Sequence, residues 1–107
     1  MKIELSVKDR VALLGFIPKE GNLLFVKMVQ QLLGDLSFDD REEKKLCFYQ
    51  TIKGQVMWDE KSAEEIKKEV EIPDTLRDQI ISKLNKFNNS NKLTPDHIGL
   101  CDKFGIS

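Results

Sequence analysis

The chain has 107 residues, of which 40% are hydrophobic and 33% charged, a balance that predicts one compact domain spanning residues 1–107 and excludes a disordered tail as its main content. Lys and Arg total 17 against 18 Asp and Glu, so no global charge draws the chain to nucleic acid or to acidic membranes. The longest apolar-rich stretch, Leu23 to Leu33, is interrupted by Lys27, Gln30 and Gln31 and falls short of the roughly 20 residues that a bilayer span requires.

Met1-Lys2-Ile3-Glu4-Leu5 lacks the uninterrupted apolar stretch of a secretory signal, so a cytoplasmic setting with Cys47 and Cys101 reduced is the expectation. Ser6 with Asp9 is a weakened capping box, and Val7, Val11 and Leu14 follow at helical spacing, which predicts a first helix over residues 7–15. Pro18 and Gly21 then punctuate the chain, and Asn22 is placed to cap a second helix. On a wheel that helix gathers Lys27, Gln30, Gln31 and Gly34 into a narrow polar stripe. Leu24, Phe25, Val26, Met28, Val29, Leu32 and Leu33 cover roughly 200° of the rest. Such a helix is expected at the centre of the core or at an interface with a partner.

Ser37 and Asp40 are expected to open a third helix, with acids in its first turn and Lys44 and Lys45 in its last. From Leu46 the pattern alternates, and Lys53-Gly54 reads as a two-residue hairpin turn that sets Thr51 opposite Val56 and Tyr49 opposite Trp58. That pair is expected in the core, with a stacking surface for a ligand as the alternative. Ser62 with Glu65 predicts one or two helical turns through Ile66. Glu69-Val70-Glu71-Ile72 alternates like a third strand beside the hairpin.

Pro73 suits the first turn of the clearest amphipathic helix, with Leu76, Ile80, Leu84 and Phe87 inward. Asn88 to Asn91 reads as a loop, and Thr94-Pro95-Asp96 as the cap of a last helix that carries Ile98, Cys101 and Phe104 inward before Gly105-Ile106-Ser107 fray. The fold class is therefore α+β: N-terminal helices, a small antiparallel hairpin or three-stranded sheet, then C-terminal helices.

Chemistry finds little footing. His97 and Cys101 share a helix face, an arrangement that can lower a thiol's pKa, but no glycine-rich turn adjoins them to supply an oxyanion site, so His97 reads as a capping or packing residue. The carboxylates at Asp39, Asp40, Glu42 and Glu43, and at Asp59, Glu60, Glu64 and Glu65, are interleaved with bases and lack the spacing of a calcium loop. Neither phosphate-cradling glycine motif occurs. No catalytic, cofactor-binding or metal-ligating residue is assigned, and the chain is not expected to be an enzyme. Three helices before a hairpin match the order of winged-helix DNA-binding domains, but the would-be reading helix holds four acids, which oppose docking on a polyanion.

The stretches LSVKDRVALLGFIPKEGN, QVMWDEK and KLTPDHIGLCDKF, spread over nearly the whole chain, together resemble short uncharacterised proteins of tailed bacteriophages and prophages. The resemblance carries no motif of known chemistry and implies an origin, with residence in the bacterial host cytoplasm. The expected function is a non-enzymatic accessory or protein-interaction module, pairing as a homodimer or with a phage or host protein and not with a membrane. The alternative is a winged-helix-like nucleic-acid-binding regulator.

Overall fold

In the computed structural model, which describes residues 1–106, the order is β1 (Lys2–Ser6), α1 (Val7–Leu13), α2 (Leu23–Leu36), α3 (Asp40–Leu46), β2 (Tyr49–Gln50), β3 (Val56–Met57), α4 (Glu60–Ala63), β4 (Lys67–Glu71), α5 (Asp74–Asn89) and α6 (Ile98–Lys103). Short 3-10 turns at Leu14–Phe16 and Pro95–His97 extend α1 and lead into α6. This is an α+β fold, with two separate two-stranded antiparallel sheets.

The first strand was not anticipated, although Lys2-Ile3-Glu4-Leu5 alternates as a half-buried strand does, with Ile3 and Leu5 inward. β1 pairs with β4 in a register that sets Ile3 opposite Val70 and Leu5 opposite Lys68. The chain end is tied in by the Met1 ammonium, which donates to the Ile72 carbonyl, while the Ile72 amide donates to the Met1 carbonyl at 2.7 Å. The predicted third strand thus exists, but it joins β1 and not the hairpin. Alternation identifies a strand and is silent about its neighbour.

Side chains from β1, β4, α1, α2, α5 and α6 form one continuous core around Leu5, Leu13, Phe16, Leu36, Ile72, Leu76, Ile80, Leu84 and Leu100. α5 buries Leu76, Ile80 and Leu84 as its period predicts. It runs on through Asn89, two residues into the expected loop, and stops where Asn91 turns left-handed (φ 57) and the Lys92 amide donates back to the Phe87 carbonyl. α6 ends the same way. Gly105 takes φ 72, the Ile106 amide donates to the Cys101 carbonyl at 2.8 Å, and Ile106 packs on the core, so these two residues are anchored and not frayed. Ser107 lies outside the described residues. Within α6 the inward set is Leu100, Cys101 and Phe104, while Ile98 is 61% exposed, because the α-helix begins only at Ile98 and its inward face falls at three- and four-residue steps from His97.

Several caps shift from their expected positions. Asp39, not Ser37, caps α3 in a capping box with Glu42, because the Ser37 hydroxyl is engaged by the Gly34 carbonyl at the end of α2. Asp59 caps α4, one turn ahead of the expected Ser62, and the Ser62 hydroxyl donates to Asp59. The hairpin register also differs by one: Tyr49 faces Met57 and Gln50 faces Val56, around a three-residue loop of Ile52, Lys53 and Gly54. A two-residue turn of the favoured kind needs positive φ at both positions, whereas only Gly54 (φ 84) adopts it here, and a three-residue loop needs one such residue.

The inward face of α1 is Val7, Arg10 and Leu13, and not Val7, Val11 and Leu14. Arg10 is fully buried. Its guanidinium donates to the Leu36 carbonyl at 3.2 Å, to the Ser37 carbonyl and to Glu42 at 2.7 Å, and it stacks 3.9 Å from the centre of the Phe38 ring. Phe38, Phe48 and Trp58 continue outward as edge-to-face pairs.

Removing the fork is expected to loosen this region: Arg10→Lys keeps the charge but not the planar fork whose separate nitrogens reach two carbonyls and a carboxylate, and a loss of about 2–3 kcal/mol in urea unfolding is expected. Arg10 also holds the Glu42 carboxyl below its ordinary value of 4.5, chiefly through the side-chain hydrogen bond. A carboxyl lowered on folding contributes stability above its unfolded pKa and loses it as pH falls through the folded value. The urea midpoint of the wild type is therefore expected to fall more than that of Glu42→Gln between about pH 5 and about pH 3.

Candidate functional site

Two surfaces stand out once the elements are placed. The first is the outer face of α2. Only Val29, Leu32 and Leu36 are buried, with Phe25 and Met28 partly so, and the helix lies against the outside of the core and not at its centre. Leu23 is 71% exposed and Leu33 36%, with Leu24 and Val26 exposed as well. Leu23, Val26, Gln30 and Leu33 recur at steps of three, four and three, the spacing of a helix–helix seam, with a single amide in an otherwise apolar stripe.

The second is a cleft of about 490 Å³ between α1 and the hairpin, lined by Lys8, Val11, Ala12, the run Gln55 to Trp58, Glu60, Asp96 and His97. Val11, Ala12, Val56 and Met57 give it an apolar lining. At its rim Lys8 pairs with Asp96 at 3.2 Å, both well exposed. Tyr49 is not core, being 58% exposed, and with the shifted register it no longer opposes Trp58. Trp58 is half-buried: it packs edge-to-face on Phe48, with ring centres 6.2 Å apart, and borders the cleft.

His97 acts as a cap and as a packing group. Its Nδ1 accepts the Thr94 amide at 3.1 Å, and its ring meets Phe16 edge-on at 5.0 Å. Cys101 lies buried beyond it, beside a shallow depression shared with Leu93, Ile98 and Ile106. Burial, and then the Asp102 charge, push the Cys101 thiol above its ordinary value, the opposite of what activation as a nucleophile requires. Among the described residues no cluster of three His, Cys, Asp or Glu side chains is arranged to hold a metal ion. No helix among them is long and apolar enough to cross a membrane. Two of the four acids at α3 have structural work, Asp39 as cap and Glu42 on Arg10. Arg10 has no signature in the sequence, because an arginine at an inward position looks the same as one on a solvated face until its acceptors are known.

The two thiols are expected to separate cleanly in a timed alkylation with iodoacetamide. Cys47 is exposed and should label at once, whereas Cys101 should label at least about tenfold more slowly at neutral pH and catch up in denaturant. No protein-family model, no curated protein and no solved structure matches the chain, so its functional reading rests on this geometry.

Proposed function

We propose that this chain is a non-enzymatic interaction module that pairs with a second copy of itself through the outer face of α2. The observation that carries the reading is the seam of Leu23, Val26, Gln30 and Leu33, left exposed by a helix that needs only its other flank to seat on the core. A second copy is the partner best suited to it. Across a two-fold axis like meets like, and the Gln30 amide, which both donates and accepts, then finds its complement in its own counterpart. A charged partner has little to grip on the helix itself, since Lys27 is the one charged residue of α2 beside the stripe.

The 14 residues of α2 span about 21 Å, so two such helices bury less than the roughly 800 Å² per partner of a standard interface, and the dimer should be weak and concentration-dependent. The resemblance to short phage proteins agrees with a small accessory of this kind working in a bacterial host cytoplasm. The winged-helix reading draws less support. α3 is seven residues long and opens with four acids in and beside its first turn, and β1 pairs with β4 rather than with the hairpin, so the three-stranded winged sheet is not assembled.

Sedimentation equilibrium between about 10 µM and about 1 mM tests the proposal, with the mass expected to rise from 12.3 kDa toward twice that value. The double variant Val26→Glu, Leu33→Glu is expected to stay at 12.3 kDa with an unchanged circular dichroism spectrum, since both positions are exposed. A wild-type mass that stays at the monomer value throughout the range overturns the reading.

A further inference from the structure

Four consecutive residues, Gln55, Val56, Met57 and Trp58, line one wall of the α1–hairpin cleft. Successive side chains of a strand point to opposite faces, so Val56 and Met57 of β3, with Gln55 and Trp58 flanking them, border one space together when the strand's edge, with its peptide groups, faces it. The hydrogen bonding agrees. The Thr51 amide donates to the Gln55 carbonyl at 2.9 Å, and Tyr49 stands opposite Met57. Bonded pairs alternate along an antiparallel ladder, which turns the amides and carbonyls of Val56 and Trp58 away from β2. Among the described residues neither of these amides donates to a main-chain acceptor elsewhere.

The opposite wall is one face of α1, with Lys8, Val11 and Ala12 at helical spacing. Lys8 is neutralised by Asp96, whereas Glu60, just past the end of β3, enters no ion pair among the described residues. A two-stranded ribbon is marginal alone, and the third-strand position beside β3 is left open because β4 pairs with β1.

We infer that this cleft takes an extended peptide segment of a partner protein as an added strand on β3. Main-chain bonds to Val56 and Trp58 would hold it, alternate apolar side chains would pack on Val11, Ala12 and Met57, and a Lys or Arg at one end would meet Glu60. The run Gln55 to Trp58 spans about 13 Å, and the 490 Å³ of space falls within the range of sites that bind small ligands and short segments. Strand addition draws affinity from the backbone and specificity from alternate side chains. In an antiparallel approach the basic residue precedes the apolar run. This surface is separate from the α2 seam, so the two proposals stand or fall independently.

The probe is the synthetic peptide acetyl-Lys-Val-Thr-Val-Thr-Val-amide, titrated against the full chain and against the Val26→Glu, Leu33→Glu variant. Trp58, the chain's one tryptophan, reports by fluorescence, and amide exchange is followed by NMR. Saturable binding with a dissociation constant of about 0.1–1 mM is expected for both proteins, with exchange at Val56 and Trp58 slowed at least about fivefold. Replacing the peptide's Lys by Glu should weaken binding, and methylating alternate peptide nitrogens should weaken it at least about tenfold in one of the two phases. Val56→Pro, which removes an outward amide and leaves the β2 ladder intact, should do the same. No saturable change, binding that leaves the Val56 and Trp58 amides unprotected, or equal affinity for both methylated peptides would overturn the inference. The methylated peptides keep the test decisive should Val56→Pro fail to fold.

Discussion

The fold turns on a single buried cation. A guanidinium carries a permanent charge and five donors, and removing it from water is costly unless every direction is answered. Around Arg10 the answers come from the last carbonyls of α2, from the Glu42 carboxylate at the start of α3 and from the Phe38 ring. No buried side-chain nitrogen or oxygen among the described residues lacks a partner. One side chain of α1 thereby sets how α2 ends, how the chain reverses and where α3 begins. An apolar residue at the same place would pack as well and would specify none of that.

The same contact joins two parts of different physical character. The main core is mostly aliphatic, with Phe16 and Phe104 among its buried residues, and is built by β1, β4, α1, α2, α5 and α6. The α3–hairpin–α4 segment carries little of that core. Leu46 is buried beneath it, apart from the main cluster, and its aromatic residues Phe38, Phe48 and Trp58 meet edge-to-face. α1 stands between the two parts, with Leu13 in the core, Arg10 toward α3, and Lys8, Val11 and Ala12 bordering the cleft. Both candidate surfaces follow from this division: α2 leans on the aliphatic core by one flank and exposes the other, and the hairpin, held at a distance from β1 and β4, keeps an open edge.

Much of the helical content was legible in short windows. Ser6 with Asp9, Asn22 as a cap, and the period of Leu76, Ile80 and Leu84 are interactions within a few residues, and they are present as read. Where local signals compete, the local pattern misleads: Ser37 is a plausible cap for α3, but its hydroxyl is bound to Gly34, and Lys53-Gly54 is a plausible two-residue turn, but Gly54 takes the left-handed conformation and Lys53 does not. For the candidate surfaces less was legible. The apolar breadth of α2 was evident, but which of its flanks meets the core was not, and nothing in the residues from Gln55 to Trp58 announces an edge that faces α1.

The amino-acid sequence by itself determined where helices begin to within about one turn, which residues are apolar at helical or alternating spacing, and that the class is α+β, because each of these depends on neighbours only a turn or a strand away. The tertiary structure decided that β4 pairs with β1 some 65 residues distant, that Arg10 lies inward among the carbonyls of another helix, and that one face of α2 and one edge of β3 are left uncovered. Those outcomes depend on contacts between segments far apart in the chain, where hydrogen-bonding partners and apolar surfaces are chosen by the packing of the whole and not by any local pattern.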